Sequence, residues 1–168
     1  MRIVHISSGG PPVLYRYGGA IQRQIVEIAE QQVTRGNEVV VYSPGEADQR
    51  TEHNGIEIRY LRCPKKPQVG GLVLQARAIA DLRREHLDVL NFYSQPEGAL
   101  VGRRIRAVKI LMYDYFVFRR GRTTPLYWLY RRLLGSFDAL LPISEYCLEQ
   151  SRAYWGLDPA RLHIVYSG

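Results

Sequence analysis

Cysteine is scarce. Cys63 and Cys147 are the two thiols of 168 residues, with no C-x-x-C spacing and no histidine pair nearby. A disulfide scaffold and a thiolate metal site are therefore not expected, and Cys147 reads as a small hydrophobe inside a helix. Long apolar runs are missing too: no stretch approaches the ~18 residues that cross a bilayer. Met1-Arg2 leads straight into Ile3-Val4-His5-Ile6, without the apolar region or cleavage site of a secretory leader. The expected location is the cytoplasm. The G-x-G-x-x-G fingerprint and the P-loop are absent, which disfavours a dehydrogenase and a P-loop nucleotidase. No zinc-finger spacing, aromatic RNA-binding consensus or basic zipper occurs, so nucleic acid is not an expected partner.

What is present is an ordinary globular mixture of 46% hydrophobic and 23% charged residues, which excludes disorder. The length matches a single domain, residues 1–168. Lys and Arg number 23 against 16 Asp and Glu, a net charge of +7. Arginines cluster at 103, 104 and 106, and again at 119, 120, 122, 131 and 132. Such a field suits an anionic membrane surface or a phosphorylated substrate.

Apolar strands alternate with amphipathic helices. Ile3–Ile6 reads as a buried strand. Ile21, Ile25, Ile28, Ala29 and Val33 mark one face of a helix from Ala20 to Arg35, with Gly36 as its stop. Residues 38–43 form the next strand, followed by a polar stretch from Gly45 to Asn54. Ile56–Leu61 alternates as a half-exposed strand. After a loop at 63–67, a helix carries Leu72, Val73, Ala76, Ile79 and Ala80. Leu87–Phe92 is a strand, Gln95–Arg106 a helix, and Val108–Tyr113 a strand. Thr123 or Thr124 caps a helix that starts at Pro125 and stops at Gly135. Its buried face is expected to be Leu126, Leu129, Tyr130, Leu133 and Leu134, with Tyr127, Trp128 and Arg131 on the other. Asp138–Ile143 is a strand, Ser144–Trp155 a helix, and Leu162–Tyr166 a last strand. This pattern predicts an α/β, Rossmann-like fold: a mainly parallel sheet of about seven strands with helices on both faces.

Ligands of such sheets sit outside the carboxyl ends of the strands. After the first strand, Gly18-Gly19 at a helix start offers bare amides and a positive dipole end to a phosphate. Tyr15, Arg16 and Tyr17 precede it. Ser94 and Glu97 follow another strand, Tyr113-Asp114 closes a third, and Ser144-Glu145 follows a fourth. Ser144 equally fits a helix cap. His5 and His163 lie within strands and read as structural; His53 and His86 read as surface residues.

Met1–Ile6, the Gly18-Gly19 loop, and a helix ending in Arg35-Gly36-Asn37-Glu38-Val39-Val40-Val41 resemble the opening of family 4 glycosyltransferases, with Asn37 where histidine is usual. Leu87–Leu90 resembles the family's D-V-I-H strand. Ser136–Ser144 resembles its A-D-x-V-I-x-x-S segment, and Arg161–Gly168 the approach to its N-G-V-D junction, with Ser167 for asparagine. The resemblance covers essentially the whole chain. It implies the N-terminal, acceptor-side half of a GT-B fold, lacking the C-terminal domain that holds most nucleotide-sugar contacts and an E-x7-E motif. It further implies a retaining, metal-independent enzyme of carbohydrate biosynthesis with no cofactor. A nucleotide-sugar donor and a carbohydrate or lipid-linked acceptor are its implied partners.

Under that resemblance Gly18 and Gly19 approach the donor diphosphate. Tyr15, Arg16, Tyr17, Ser94, Glu97, Ser144 and Glu145 line the acceptor side. Tyr113 and Asp114 stand where the family usually has His-Asp, as catalytic candidates. Arg119, Arg120, Arg122, Tyr127, Trp128, Arg131 and Arg132 are candidates for peripheral contact with an anionic membrane. The rivals are a nucleotide-sugar epimerase half of the same fold and a non-catalytic membrane- or partner-binding module.

Overall fold

The computed structural model describes residues 1–14, 19–113 and 124–166, apart from the side chain of Gln68. Its centre is β1 (Arg2–Ile6), which opens on Arg2 and continues with three apolar residues and one histidine. This strand pairs in parallel with β2 (Glu38–Gly45) on one side and with β5 (Val89–Tyr93) on the other. Outward from β2 lie β4 (Ile56–Arg62) and then β3 (Gln49–His53). Outward from β5 lie β6 (Val108–Tyr113) and β7 (Ala139–Pro142). The order is therefore β3-β4-β2-β1-β5-β6-β7, with every pairing parallel except β3 with β4. The chain reverses direction across the sheet between β1 and β5, the kind of switch point outside which α/β proteins bind ligands.

Alternate strand residues divide between two cores. On one face Val4, Ile6, Val40, Tyr42, Leu90, Phe92, Leu111, Tyr113 and Leu140 meet α2 (Pro67–Leu82), α3 (Gly98–Gly102), α4 (Pro125–Leu134) and α5 (Glu145–Ala153). On the other face Val39, Val41, Ile56, Ile58, Tyr93 and Met112 meet α1 (Ala20–Thr34) through Ile25 and Ala29. Helices thus cover both faces, but unequally: among the described residues α1 alone packs on the second.

The expected elements stand, with four changes. The polar stretch 45–54 contains β3, an exposed edge strand. It is turned back onto β4 by Asn54 and Gly55 at φ 50° and 78°, the left-handed pair of a tight hairpin. The expected last strand is reduced to a bridge between Leu162 and Leu140, with the N–H groups of His163 and Val165 donating to Leu140 and Pro142 carbonyls at 3.0 Å. His163 is exposed rather than structural. The expected helix over 95–106 shrinks to α3. A Cβ at Gly98 would stand 2.2 Å from the Phe92 ring, so glycine lets the short helix rest on that ring.

Finally, α4 buries Tyr127, Tyr130, Leu133 and Leu134, while Leu129 is exposed. Tyr127, expected on the outer face with Trp128 and Arg131, is instead stacked on Trp155 at 5.2 Å and donates to the Tyr154 carbonyl at 2.9 Å. Its hydroxyl finds a partner inside, so the ring can be buried.

The α2 face also contains a buried cation. Arg59, 4% exposed, bonds Glu57 at 2.7 Å, Glu85 at 2.7 Å, Asp81 at 3.0 Å and the Tyr42 hydroxyl oxygen at 2.6 Å. Burial alone would lower its pKa. The bonds to Glu57 and Glu85 outweigh burial and hold it above its ordinary value. Among the described residues no helix is long and apolar enough to cross a membrane.

Candidate functional site

The carboxyl ends of β1, β5, β6 and β7 share one edge because these strands are parallel. The first loop is fixed there by its backbone. The Ser7 N–H donates to the Tyr42 carbonyl at 3.0 Å and the Val13 N–H to Ser43 Oγ at 2.9 Å. The Tyr60 hydroxyl donates to the Val13 carbonyl at 3.1 Å. Gly9 lies directly on the first turns of α2: a Cβ there would meet Gly71 N and the Pro67 carbonyl oxygen at 2.2 Å.

Backbone strain collects at the same edge. Leu14 and Ser94 hold left-handed φ values of 61° and 55°. For residues other than glycine that costs about 1–3 kcal/mol and persists only where surroundings impose it, often in ligand-binding loops.

The helix α1 begins at this edge. Its N-cap is Gly19, extended at φ −71° and ψ 173°, with no capping side chain and no acidic residue in the first turn. Its leading N–H groups therefore have no side-chain cap and present a partial positive charge. Within that turn Gln22 is 4% exposed, and its carboxamide makes no hydrogen bond to a described residue. A Cβ at Gly19 would fall 2.9 Å from Gln22 Oε1, and one at Gly10 would fall 3.4 Å from its Nε2. Beside the helix start a cavity of about 330 Å³ opens between α1 and Ile143, Val165 and Tyr166.

A second carboxamide pair lies across the first loop. Gln75, 1% exposed, donates from Nε2 to Gln95 Oε1 at 2.5 Å, and its own Oε1 is buried without a partner. Within β1, His5 is fully buried. It bonds the Tyr93 hydroxyl at 2.9 Å and Gln32 Oε1 at 2.7 Å. Burial lowers its pKa to about 4 against a weaker opposing bond from Gln32, so the ring is neutral and structural, as expected.

The expected site residues fall out as follows. Gly19 stands at the α1 start. Ser94 turns the chain out of β5, and its N–H donates to the Met112 carbonyl at 2.8 Å. Ser144 caps α5, its Oγ accepting from Cys147 N at 3.2 Å. Glu145 is exposed and accepts from the Tyr166 hydroxyl at 2.8 Å. Glu97 is half-buried and accepts from the Tyr130 hydroxyl, tying the α3 region to α4.

Tyr113 ends β6, as expected, and is turned inward. Its ring is 1% exposed, its hydroxyl bonds Ser151 Oγ on α5, and burial raises its pKa to about 12. The hydroxyl joins β6 to α5. Asp114, Tyr15, Arg16, Tyr17, Gly18, Arg119, Arg120 and Arg122 lie outside the described residues. Of the surface candidates, Trp128 and Arg132 are exposed, and the Arg131 guanidinium sits 5.3 Å from the Trp128 ring centre.

Sequence reasoning missed Gln22, Gln75 and Gln95. Glutamine in a helix is an unremarked helix former; the available signal was glycine at 9, 10 and 71, where neighbours leave no room for a side chain. Among the described residues no group of three or more His, Cys, Asp or Glu could hold a metal ion.

The model of the family Glycosyltransferase Family 4 matches residues 17–168. No curated protein matches the sequence. Among solved structures, a glycosyltransferase from Rickettsia africae ESF-5 superposes with TM-score 0.65 at 12% identity, covering 98% of this chain and 42% of that one. HepE from Anabaena, in complex with UDP-glucose, gives TM-score 0.63 at 14% identity, with 100% and 44% covered. A trehalose-6-phosphate synthase, studied for glycosyltransfer with retention through bisubstrate glycomimetics, gives 0.57 at 11%, with 96% and 48% covered. At these identities the likeness is one of fold, and the chain spans less than half the length of each.

Proposed function

This chain belongs to Glycosyltransferase Family 4, and from that membership we propose that it is the acceptor-side half of an enzyme moving a sugar from a nucleotide diphosphate to an acceptor hydroxyl. The observation that carries this reading is the α1 start. Uncapped amides at Gly19, with no acidic residue in the first turn, lie at the strand edge beside two strained loops. A diphosphate leaving group needs such a place, because amides and a helix dipole fixed in advance stabilise the charge that develops as it departs.

In the transfer, the bond between the anomeric carbon and the donor phosphate oxygen breaks and the electron pair stays on the diphosphate. The acceptor oxygen bonds the same carbon on the same face, and its proton passes to the departing diphosphate. That retention of configuration follows the family resemblance and the trehalose-6-phosphate synthase neighbour. No protein nucleophile is required; the chain's part is positioning and charge stabilisation. The loops of Ser94 and Ser144 line the acceptor side. Tyr113 acts through position, anchoring the end of β6 to α5. The remaining nucleotide contacts come from a second domain, in keeping with the chain's spanning less than half of its structural neighbours.

A second reading concerns where the enzyme works. Trp128 and Leu129 are 55% and 46% exposed, next to Arg131 and Arg132. An aromatic and aliphatic pair flanked by cations suits the headgroup layer of an anionic membrane, which supports a lipid-linked acceptor.

Titration of UDP-, GDP- and ADP-sugars onto the 168-residue chain tests the main reading. Weak binding of at least one nucleotide sugar, lost when its diphosphate is replaced by a monophosphate, is expected. Failure of every nucleotide sugar to bind overturns it.

A further inference from the structure

Among the described residues nothing pairs with the outer edge of β3, which ends the sheet. The strand holds no proline and no bulge, two of the usual devices that keep an edge from pairing. The direction of its free backbone groups follows from the turn. Asn54 and Gly55, both left-handed, form a two-residue hairpin loop, so the flanking His53 and Ile56 exchange backbone hydrogen bonds. Antiparallel bonding alternates along a strand. Thr51 and Gln49 therefore also bond to β4, while the N–H and C=O groups of Arg50 and Glu52 point away from the sheet.

Both of those residues are charged and exposed, and their neighbours across the hairpin carry the same sign. Arg50 stands directly opposite Arg59, and Glu52 directly opposite Glu57. Like charges so placed destabilise a strand pair. Arg59 is already matched to Glu57, Asp81 and Glu85. Arg50 reaches the shared carboxylates of Glu57 and Asp81 at 3.8 Å, with 65% of its side chain exposed. Glu52 makes no ion pair among the described residues.

A second β3 laid antiparallel along this edge must bring outward-facing residues opposite one another. The registers that do so differ in charge. One sets Arg50 against Arg50 and another sets Glu52 against Glu52, and both are repulsive. The register centred on Thr51 sets Arg50 of each copy against Glu52 of the other, so that backbone bonds and charges agree.

We propose that β3 is a homodimer contact: two copies of this chain pair antiparallel about Thr51, through the backbone of Arg50 and Glu52 and through equivalent Arg50–Glu52 ion pairs. Such a contact is self-complementary, as a two-fold interface must be. It lies on the lateral edge of the sheet, apart from the carboxyl edge at which α1 begins, and does not depend on the donor reading. One short strand pair buries little area, which makes the association weak and concentration-dependent.

Sedimentation velocity of the 168-residue chain at rising concentration and low salt tests it, with amide hydrogen exchange as a second readout. A monomer–dimer equilibrium is expected below about 1 mM. The amides of Arg50 and Glu52 should gain protection as the dimer fills, whereas those of Thr51 and His53, bonded to β4, are protected throughout. Arg50→Glu should weaken dimerisation about tenfold, and Glu52→Arg likewise, since each sets like charges across the contact. Each change also places an opposite charge across from Arg59 or Glu57, so the hairpin stays folded. The double variant R50E/E52R should restore the native dissociation constant. A chain that stays monomeric to about 1 mM overturns the proposal. So does a dimer in which the Arg50 and Glu52 amides gain no protection, and so does a double variant that dimerises no better than the single ones.

Discussion

The carboxamide of Gln95 lies over the Cα of Gly71. A methyl group built at residue 71 would stand 1.9 Å from Gln95 Nε2, while one at Gly9 would meet backbone atoms of Gly71 and Pro67 at 2.2 Å. These two obstacles differ in kind. A side chain can swing aside; a helix backbone cannot.

Gly71→Ala is therefore expected to cost about 1 kcal/mol, because Gln95 moves and Gln75 loses its partner while the helix gains a better former. Gly9→Ala is expected to cost about 3 kcal/mol, since it separates the first loop from α2. Urea unfolding of both variants measures the difference, and equal losses would refute the distinction.

His5 sets a pH dependence. Its imidazole takes a proton near 6.5 when unfolded, but only at about 4 in the folded core. Between those values the unfolded chain binds the extra proton, so stability declines as pH falls from about 6.5 to about 4. The total is about 3 kcal/mol, from 2.5 pH units at ~1.36 kcal/mol each. The neighbours Tyr93, Gln32 and Asn91 bear no charge to offset this. His5→Asn should show no such decline relative to the native chain in guanidinium melts across that range.

Arg59 governs a lower window. Hydrogen bonds from its guanidinium hold the Glu57 carboxyl below the usual carboxylate range. Asp81 is also lowered, since bonds from Tyr42 and Arg59 outweigh its burial. Both carboxylates then contribute stability above about pH 4, and that contribution is lost as pH drops through their lowered values. Arg59→Met should destabilise by about 3 kcal/mol at neutral pH, because it leaves carboxylates gathered around a missing cation. Unfolding free energies at neutral pH and in acid should differ less in the variant than in the native chain.

The alternation of strand and helix was legible because each element repeats its own period, and α1 shows it best. Its apolar residues fall on one face and Gly36, at φ 76°, stops it where expected. The missed β3 is an exposed edge strand with no apolar face for periodicity to detect, although the Asn54-Gly55 turn marked it. The face of α4 was misjudged at two positions, Leu129 being counted as core and Tyr127 as surface. Tyr127 and Tyr130 go inside since each hydroxyl has a partner there. At the site, Gly19 and the strand-end loops could be read from order along the chain. The Gln75–Gln95 pair joins residues 20 apart in sequence, and no local pattern announces it.

Tyr113→Phe separates two roles. A hydroxyl that touches substrate would, when removed, slow transfer and leave stability alone. The bond to Ser151 instead predicts a stability loss of about 1 kcal/mol and a rate change that Ser151→Ala reproduces. Comparing the two variants for melting temperature and, in the active enzyme, for kcat against KM checks this. A rate loss confined to Tyr113→Phe would contradict the positional role.

The exposed Trp128 and Leu129 give a lipid prediction. The chain should co-sediment with vesicles containing anionic phospholipid at low salt and detach as salt rises, with Trp128→Ala reducing the bound fraction several-fold. Failure to pellet with anionic vesicles dismisses the membrane reading.

The position of β1 has a bearing on how the protein is made. β1 lies in the middle of the finished sheet, and one of its partners, β5, lies some 86 residues downstream, as the Asn91–His5 contact shows. Until β5 emerges, an apolar strand displays an open row of backbone donors and acceptors, the arrangement most prone to pairing with another chain. The nascent protein therefore depends on β2, which arrives first, to hold β1 in register. Any truncation ending before Val89 exposes that edge permanently and should yield aggregates rather than a smaller fold.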